Sequence, residues 1–317
     1  MMLATDYRVS QPELFRQDVI AGLSMRRKTL SSRWLYDERG SELFEQITQL
    51  EEYYPTRVET AILRENAAEM AAFIGKGATL IEYGAGAGVK TEIVIAALEA
   101  PRLYIPVDIS GDYLDQAVIS LRHRFPKIRV RPIVADFTED FEIPAGIPLK
   151  GRSAFFPGST IGNLDYAETV SFLRRMRRHV GPRGTALIGA DLTKDIKVLL
   201  AAYDDRQGVT AAFNLNLLAR INRVLDGNFR LERFAHEARW NSANSAVEMH
   251  LVSLEAQTVV VDGQSFDFAA GESIHTETSR KYNVQTLSAI VENAGWYIEE
   301  MWTDPRQSFG EFGLASL

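Results

Sequence analysis

The spacing of apolar positions changes several times along the chain, and each change marks an element boundary. From Glu42 to Leu50 the side chains of Leu43, Phe44, Ile47 and Leu50 recur at the interval of one helix face, and Tyr53-Tyr54-Pro55-Thr56-Arg57 breaks the pattern. A second helical pattern runs from Arg57 to Phe73 and stops at Gly75-Lys76-Gly77, after which Thr79 to Tyr83 predicts a strand.

A regular alternation follows. Helix is predicted over Thr91 to Leu98, Gly111 to Phe125 and Ala167 to Val180, and strand over Arg102 to Asp108, Ile128 to Asp136, Ser153 to Phe156 and Thr185 to Asp191. Alternation of this kind implies a mostly parallel sheet covered on both faces, with its ligand site at the carboxyl ends of the strands. Between Leu192 and Tyr282 the rhythm changes to helix around Lys197 to Leu225 and then to extended runs near Ala246 to Val261. The earlier theme returns with a helix over Val284 to Ala294, a turn at Gly295, and strands at Tyr297 to Trp302 and Phe309 to Leu314, which suit a closing antiparallel pair. The predicted organisation is a doubly wound α/β domain over 58–191 and 284–317, and a second α+β domain over 1–57 and 192–283.

Composition narrows the function. A hydrophobic share of 46% and a charged share of 24% are ordinary globular values. A net charge of −7 removes the basic footprint that nucleic-acid binding requires. The exception is Arg174-Arg175 with Arg177-Arg178, read as a solvated helix face rather than a polyanion site. The absence of cysteine excludes thiol nucleophiles, disulfides and zinc–thiolate sites, and the five scattered histidines lack metal-ligand spacing. No leader-like pattern opens the sequence and no run of about 18 apolar residues occurs, so a cytoplasmic location without a membrane partner is expected; no nucleic-acid partner and a monomer are expected as well.

The chemistry-bearing motif is Glu82-Tyr83-Gly84-Ala85-Gly86-Ala87-Gly88, between a predicted strand and a predicted helix. Glycines there let the backbone approach a ligand, and the helix start offers unpaired N–H groups. A lone glycine turn fits several nucleotide-type cofactors. Three acids at successive strand ends favour S-adenosylmethionine over a dinucleotide: Glu82 toward an ammonium, Asp108 toward ribose hydroxyls, and Asp136 toward an adenine amino group with Phe137 packing on its face. Lys90, at the helix start, is an ionic partner for a cofactor carboxylate. Each of these also has an ordinary reading, as a cap, a turn residue or a solvated lysine.

Further blocks widen the likeness: Tyr36-Asp37-Glu38-Arg39-Gly40-Ser41-Glu42-Leu43-Phe44, Glu52-Tyr53-Tyr54-Pro55-Thr56-Arg57, Thr160-Ile161-Gly162-Asn163, Ala202-Tyr203-Asp204 and Thr276-Glu277-Thr278-Ser279. With the glycine loop they make the sequence resemble the histidine-specific N-alpha-methyltransferases of ergothioneine biosynthesis over nearly its whole length. The resemblance implies a class I, Rossmann-like methyltransferase fold with a second substrate-binding domain, and S-adenosylmethionine as methyl donor without a metal. It implies that Tyr53, Asn163 and Tyr203 hold the amino-acid end of the substrate, the latter two on its carboxylate. It places Glu277 and Ser279, with Thr278 between them, at the imidazole, Met249 packed against that ring, and Tyr36 at the amino group. Tyr36 and Tyr53 are the candidates for ordering the water that takes the amine proton. Gly84, Lys90, Asp108, Asp136 and Phe137 correspond to the cofactor contacts, Gly86 is a further candidate in the same loop, and Glu82 is added from the turn itself. Ala87-Gly88-Val89 replaces a more polar triplet, a change expected to tune affinity without altering the reaction.

On an extended segment Glu277 and Ser279 point to one face and can satisfy both nitrogens of a neutral imidazole. The expected reaction is threefold methylation of the α-amino group of free L-histidine to hercynine. Competing readings are N-methylation of another aromatic amino acid such as a tryptophan derivative, a nicotinamide-dependent oxidoreductase, and a non-catalytic binding module.

Overall fold

In the computed structural model, which describes residues 11–85, 88–109 and 111–317, the first element is α1 (Gln11–Ser24), with Phe15, Val19 and Leu23 buried along one face. Asp37 opens α2 (Glu38–Thr48) by accepting from the Gly40 amide, an N-cap that starts the helix four residues before its apolar stripe. Two helices, α3 (Tyr54–Glu65) and α4 (Ala67–Ile74), stand where the apolar pattern predicts one. Asn66 divides them, its Nδ2 donating to the Ile62 carbonyl at 2.8 Å.

β1 (Thr79–Tyr83), α5 (Val89–Ala97), β2 (Leu103–Asp108) and α6 (Gly111–Arg124) follow in the expected order. The expected strand from Ile128 to Asp136 is two short ones, β3 (Arg129–Val130) and β4 (Ile133–Val134), because Pro132 between them has no N–H to donate. β5 (Arg152–Phe156), α7 (Tyr166–Val180) and β6 (Thr185–Asp191) complete the alternation. The helix expected around Lys197 to Leu225 is also two, α8 (Ile196–Tyr203) and α9 (Val209–Val224). Gly208, at φ +73°, ends the break, and Asp205 caps the restart by accepting from the Val209 and Thr210 amides. Then come β7 (Phe234–Asn241), β8 (Ala246–Ser253), β9 (Gln257–Val261), β10 (Gln264–Phe268), β11 (Ser273–Arg280), α10 (Val284–Asn293), β12 (Trp296–Thr303) and β13 (Phe309–Ser316).

The chain divides into two units, one of Pro55–Lys194 with Arg280–Leu317, the other of the described residues up to Tyr54 with Asp195–Ser279. In the first, one sheet has the order β12-β13-β6-β5-β1-β2-β3, with β4 also beside β2. β6, β5, β1, β2, β3 and β4 run parallel, while β13 runs antiparallel to both of its neighbours. Along β1, Ile81 and Tyr83 join one apolar cluster with Phe156, Phe172 and Trp296, and Leu80 joins another with Ile62, Phe155 and Leu187. Both sheet faces are therefore covered, as in a doubly wound α/β fold. β2 and β5 flank β1, so the order reverses there and the strand ends open a crevice.

The arginine run of α7 is in part a solvated face, with Arg174 and Arg178 exposed, and each of its arginines is also tethered. Arg174 donates to the Asn293 carbonyl, Arg177 to the Ser316 hydroxyl and the Leu317 carbonyl, and Arg178 to Asp140. Arg175, 6% exposed, also reaches Asp140.

The second unit has a three-stranded sheet of order β11-β8-β7, a β9–β10 hairpin, and a core that includes Phe15, Leu43, Tyr53, Tyr203, Phe213, Met249 and Val259. Val247, Met249 and Leu251 alternate inward on β8.

Candidate active site

β1 of the doubly wound unit ends in a turn that only a glycine makes comfortably. Gly84 has φ +69°, and the Gly84 and Ala85 amides both donate to the Val107 carbonyl of β2, at 2.9 and 3.3 Å. A Cβ at Gly84 would lie 3.5 Å from Cε1 of Phe137, so this turn and the segment after β4 meet. Gly88, at φ +81°, stands at the N-cap of α5, and Gly86 lies outside the described residues.

Asp108 ends β2, half-buried. Asp136 follows β4, its Oδ1 accepting from the Thr138 amide at 2.9 Å and hydroxyl at 2.5 Å. The Phe137 ring packs 5.4 Å from those of Phe156 and Phe172. Arg175 fixes this segment by donating to the Phe137 carbonyl at 3.1 Å and to Asp140 at 2.9 Å. The carboxyl ends of adjacent strands thus present a glycine turn, two carboxylates and an aromatic ring. The helix start of α5 suits an amino acid's carboxylate, a carboxylate suits a diol or an exocyclic amine, and a ring suits a purine face. That donor set fits S-adenosylmethionine.

Glu82 and Lys90 lie deeper. Glu82, 2% exposed, accepts from the Thr91 hydroxyl at 2.7 and 2.9 Å and from the Tyr104 hydroxyl at 2.5 Å. Burial pushes its carboxyl up to about 7, against the lowering effect of Tyr104, Thr91 and Lys90, with Asp108 adding to the rise. Lys90 pairs with Glu59, whose other oxygen accepts from the Gly158 amide at 2.5 Å. Both expected cofactor contacts therefore have protein partners.

Asn163 ends a single helical turn (Thr160–Asn163) after β5. Ser159 before it has φ +57°, a left-handed backbone that a non-glycine residue holds only under constraint. The constraints are visible. The Asp191 amide donates to the Ser159 hydroxyl at 2.9 Å, the Gly162 amide donates to the Ser159 carbonyl at 2.9 Å, and Tyr282 donates to the Ile161 carbonyl at 3.1 Å. Gly162 packs so tightly on the Arg280 backbone that a Cβ would come within 2.8 Å of its carbonyl oxygen.

In the α+β unit, the Tyr203 hydroxyl and the Ser279 Oγ lie 2.7 Å apart, both buried. Tyr53 meets Tyr203 edge-on at 6.2 Å and Phe44 at 6.1 Å, and Tyr36 meets both Phe44 and Phe213 at 5.4 Å. Tyr36 as a residue is 42% exposed, and Glu277, Tyr53 and Tyr203 act electrostatically on its hydroxyl. Burial, then Glu277 and the two tyrosines, push that phenol well above its ordinary value, which keeps it a neutral donor. Met249 lies in the core of β8, its carbonyl accepting from the Thr276 hydroxyl at 3.0 Å. The Thr278 hydroxyl lies 3.0 Å from Nε2 of His275.

Sequence reasoning missed four supports of this cluster. Phe44 and Phe213 bracket Tyr36, and the apolar helix stripe that carries Phe44 is indistinguishable from ordinary core. Asn214 reaches Nδ1 of His236 at 2.9 Å, and Nε2 of that ring lies 2.7 Å from the Tyr203 carbonyl. Burial lowers His236, so the neutral ring accepts from Asn214 and donates to Tyr203.

Residues 15–316 match the family of histidine-specific, S-adenosylmethionine-dependent methyltransferases. The chain belongs to this family. Within it, the chain is 42% identical over 312 residues to a histidine N-alpha-methyltransferase of Mycolicibacterium smegmatis, covering 96% of this chain and 95% of that one. A histidine N-alpha-methyltransferase of Mycobacterium tuberculosis is 41% identical over 307 residues, covering 95% and 93%. A solved S-adenosylmethionine-dependent methyltransferase of Clostridium acetobutylicum, 12% identical, superposes with a TM-score of 0.51 over 87% of this chain and 98% of that one, which shows a shared fold. The doubly wound unit is thus a class I methyltransferase sheet, with β13 running antiparallel between β6 and β12. Among the described residues, no helix is long and apolar enough to cross a membrane.

Proposed function

We propose that this enzyme methylates the α-amino nitrogen of free L-histidine three times, giving hercynine, and that it acts as a cytoplasmic monomer. The observation that carries the reading is the convergence of Tyr36, Tyr53, Tyr203, Glu277 and Ser279 in a single unit. S-adenosylmethionine, when bound, supplies a methyl group on a sulfonium already activated for transfer. Gly84, Gly86, Asp108, Asp136 and Phe137 hold it, with Lys90 on its carboxylate and Glu82 bracing the turn from beneath.

Asn163 and Tyr203 are assigned to the histidine carboxylate, and Tyr53 meets the Tyr203 ring. Glu277 and Ser279 take the two imidazole nitrogens, Thr278 continues that strand, and Met249 backs the ring. The amine attacks only when neutral, so a proton must leave in each round. Tyr36 and Tyr53 order the water that takes it, because a phenol raised as Tyr36 is serves as a donor rather than a base. The barrier falls chiefly through alignment of nitrogen and methyl. Glu277 favours histidine over an indole substrate, which would leave that carboxylate poorly paired.

Calorimetric titration of Asn163→Ala is the test: histidine binding weakens while cofactor binding stays near wild type. Unchanged histidine affinity removes Asn163 from the acceptor site. Incubation with single amino acids and mass counting of methyl groups decides the substrate, with tryptophan turnover favouring the other reading.

A further inference from the structure

The methyltransferase sheet buries an acid that these roles leave unused. Glu311 on β13 and Glu59 on α3 are each 0% exposed. Both carboxyls lie against Gly189 of β6, where a Cβ would come within 2.5 Å of Glu59 Oε1 and 3.0 Å of Glu311 Oε1. The glycine makes the room that lets the two acids share one space.

Their partners are unequal. Glu59 accepts from the Gly158 amide and from Lys90, whereas neither oxygen of Glu311 meets an N–H or O–H donor among the described residues. One ammonium faces two buried carboxyls, and two ionised acids would leave an uncompensated negative charge in the core. A proton on Glu311 resolves both difficulties: it neutralises the surplus charge and turns Glu311 into a donor beside the Glu59 carboxylate.

We infer that Glu59 and Glu311 share one proton and one negative charge, and that this pair positions Lys90 at the start of α5 and the Pro157-Gly158 turn after β5 for methyl-donor binding. Burial first, then the charge and hydrogen bond of Glu59, raise the Glu311 carboxyl well above the usual range, in keeping with that arrangement. The inference rests on the proposed role of Lys90 at the cofactor carboxylate. It explains why an acid stands in the apolar run Phe309-Gly310-Glu311-Phe312.

In Glu311→Gln, an amide donates to Glu59 in place of the acid. In Glu59→Gln, Glu311 becomes the ion and draws Lys90 away from its place, while the new amide cannot accept from both Gly158 and Lys90. Binding of S-adenosylhomocysteine is therefore expected to weaken by at most about threefold in Glu311→Gln and by at least about tenfold in Glu59→Gln, the ratio that corresponds to ~1.4 kcal/mol. The histidine KM should move by less than about threefold in both, a split that general destabilisation would not produce. Infrared spectra of ¹³C-glutamate-labelled protein, taken above about pH 8 so that Glu82 is ionised, should contain a protonated-carboxyl band that Glu311→Gln removes.

Absence of that band, its persistence in Glu311→Gln, or equal binding losses in the two variants would overturn the pair. If Glu59→Gln does not fold, the band and the near-normal binding of Glu311→Gln decide alone. Lys90→Met separates the two readings. Unchanged cofactor affinity there removes Lys90 from the cofactor site and with it the positioning role, leaving the band to judge the shared proton.

Discussion

The two units bury polar groups by different means. In the methyltransferase unit, charge is matched by donors from neighbouring elements. Glu82 is held by Thr91 and Tyr104, Glu59 by Lys90 and Gly158, and Asp191 by Lys194 and the fully buried Lys281. The α+β unit relies on rings and neutral hydrogen bonds: five aromatic side chains from Tyr36 to Phe213, the Tyr203–Ser279 pair and a neutral His236. A charged framework suits a methyl donor that carries charge at several points. A mostly neutral, aromatic chamber suits an amine that must shed its proton, because low-dielectric surroundings disfavour the ammonium form.

The largest expected effect breaks the charged side of that comparison. Asp191→Asn leaves Lys281, 0% exposed, without its counter-ion at 2.8 Å. Removing one partner of a buried pair costs about 3–5 kcal/mol, most of it from the stranded charge. Urea unfolding should register that loss, and adding Lys281→Met should recover a substantial part of it. A loss below about 1 kcal/mol, typical of exposed pairs, would mean that the charge network contributes little.

Glu82 tests the same side through pH. Its carboxyl is raised from 4.5 to about 7 by burial, so the fold favours the protonated form. Its contribution is therefore present in full below the ordinary carboxylate range and is lost as pH rises through about 7. In Glu82→Gln that loss disappears, and the variant should gain on the wild type by about 3 kcal/mol between pH 4 and pH 8. Parallel stability curves for the two proteins across that range would show that Glu82 is not perturbed by the core.

The same contrast governs how much could be read in the sequence. The doubly wound unit was legible because its strands, buried on both faces, are short apolar runs, and because Gly84, Asp108 and Asp136 fall at their ends. Departures came from single residues with local chemistry, Asn66 closing α3 and Pro132 splitting a strand. In the α+β unit, β7 was invisible because nearly all of its residues are half-buried, which erases alternation. The β9–β10 hairpin had a usable signal in Asp262-Gly263, both at positive φ, between two extended runs. Glu59 and Glu311 escaped notice because their partnership depends on Gly189, distant in sequence from both, and no local pattern announces it. The tyrosine cluster was found only through family blocks, since Tyr53 and Tyr203 look like core residues by spacing alone.

Tyr203→Phe probes the neutral side and carries the smallest expected change. It deletes the hydroxyl 2.7 Å from Ser279 and keeps the ring that meets Tyr53. A neutral buried hydrogen bond contributes about 1 kcal/mol net, so stability should fall by roughly that amount. With Tyr203 in its proposed role, histidine affinity should fall by roughly tenfold, because Ser279 then loses the hydroxyl that orients it and the substrate carboxylate loses a donor. Cofactor affinity should stay within about twofold, since about 0.4 kcal/mol is all that such a ratio allows. Separate calorimetric titrations with histidine and with S-adenosylhomocysteine measure the two. If both affinities fell together, the hydroxyl would be supporting the whole site, and the proposed role of Tyr203 at the acceptor would fail.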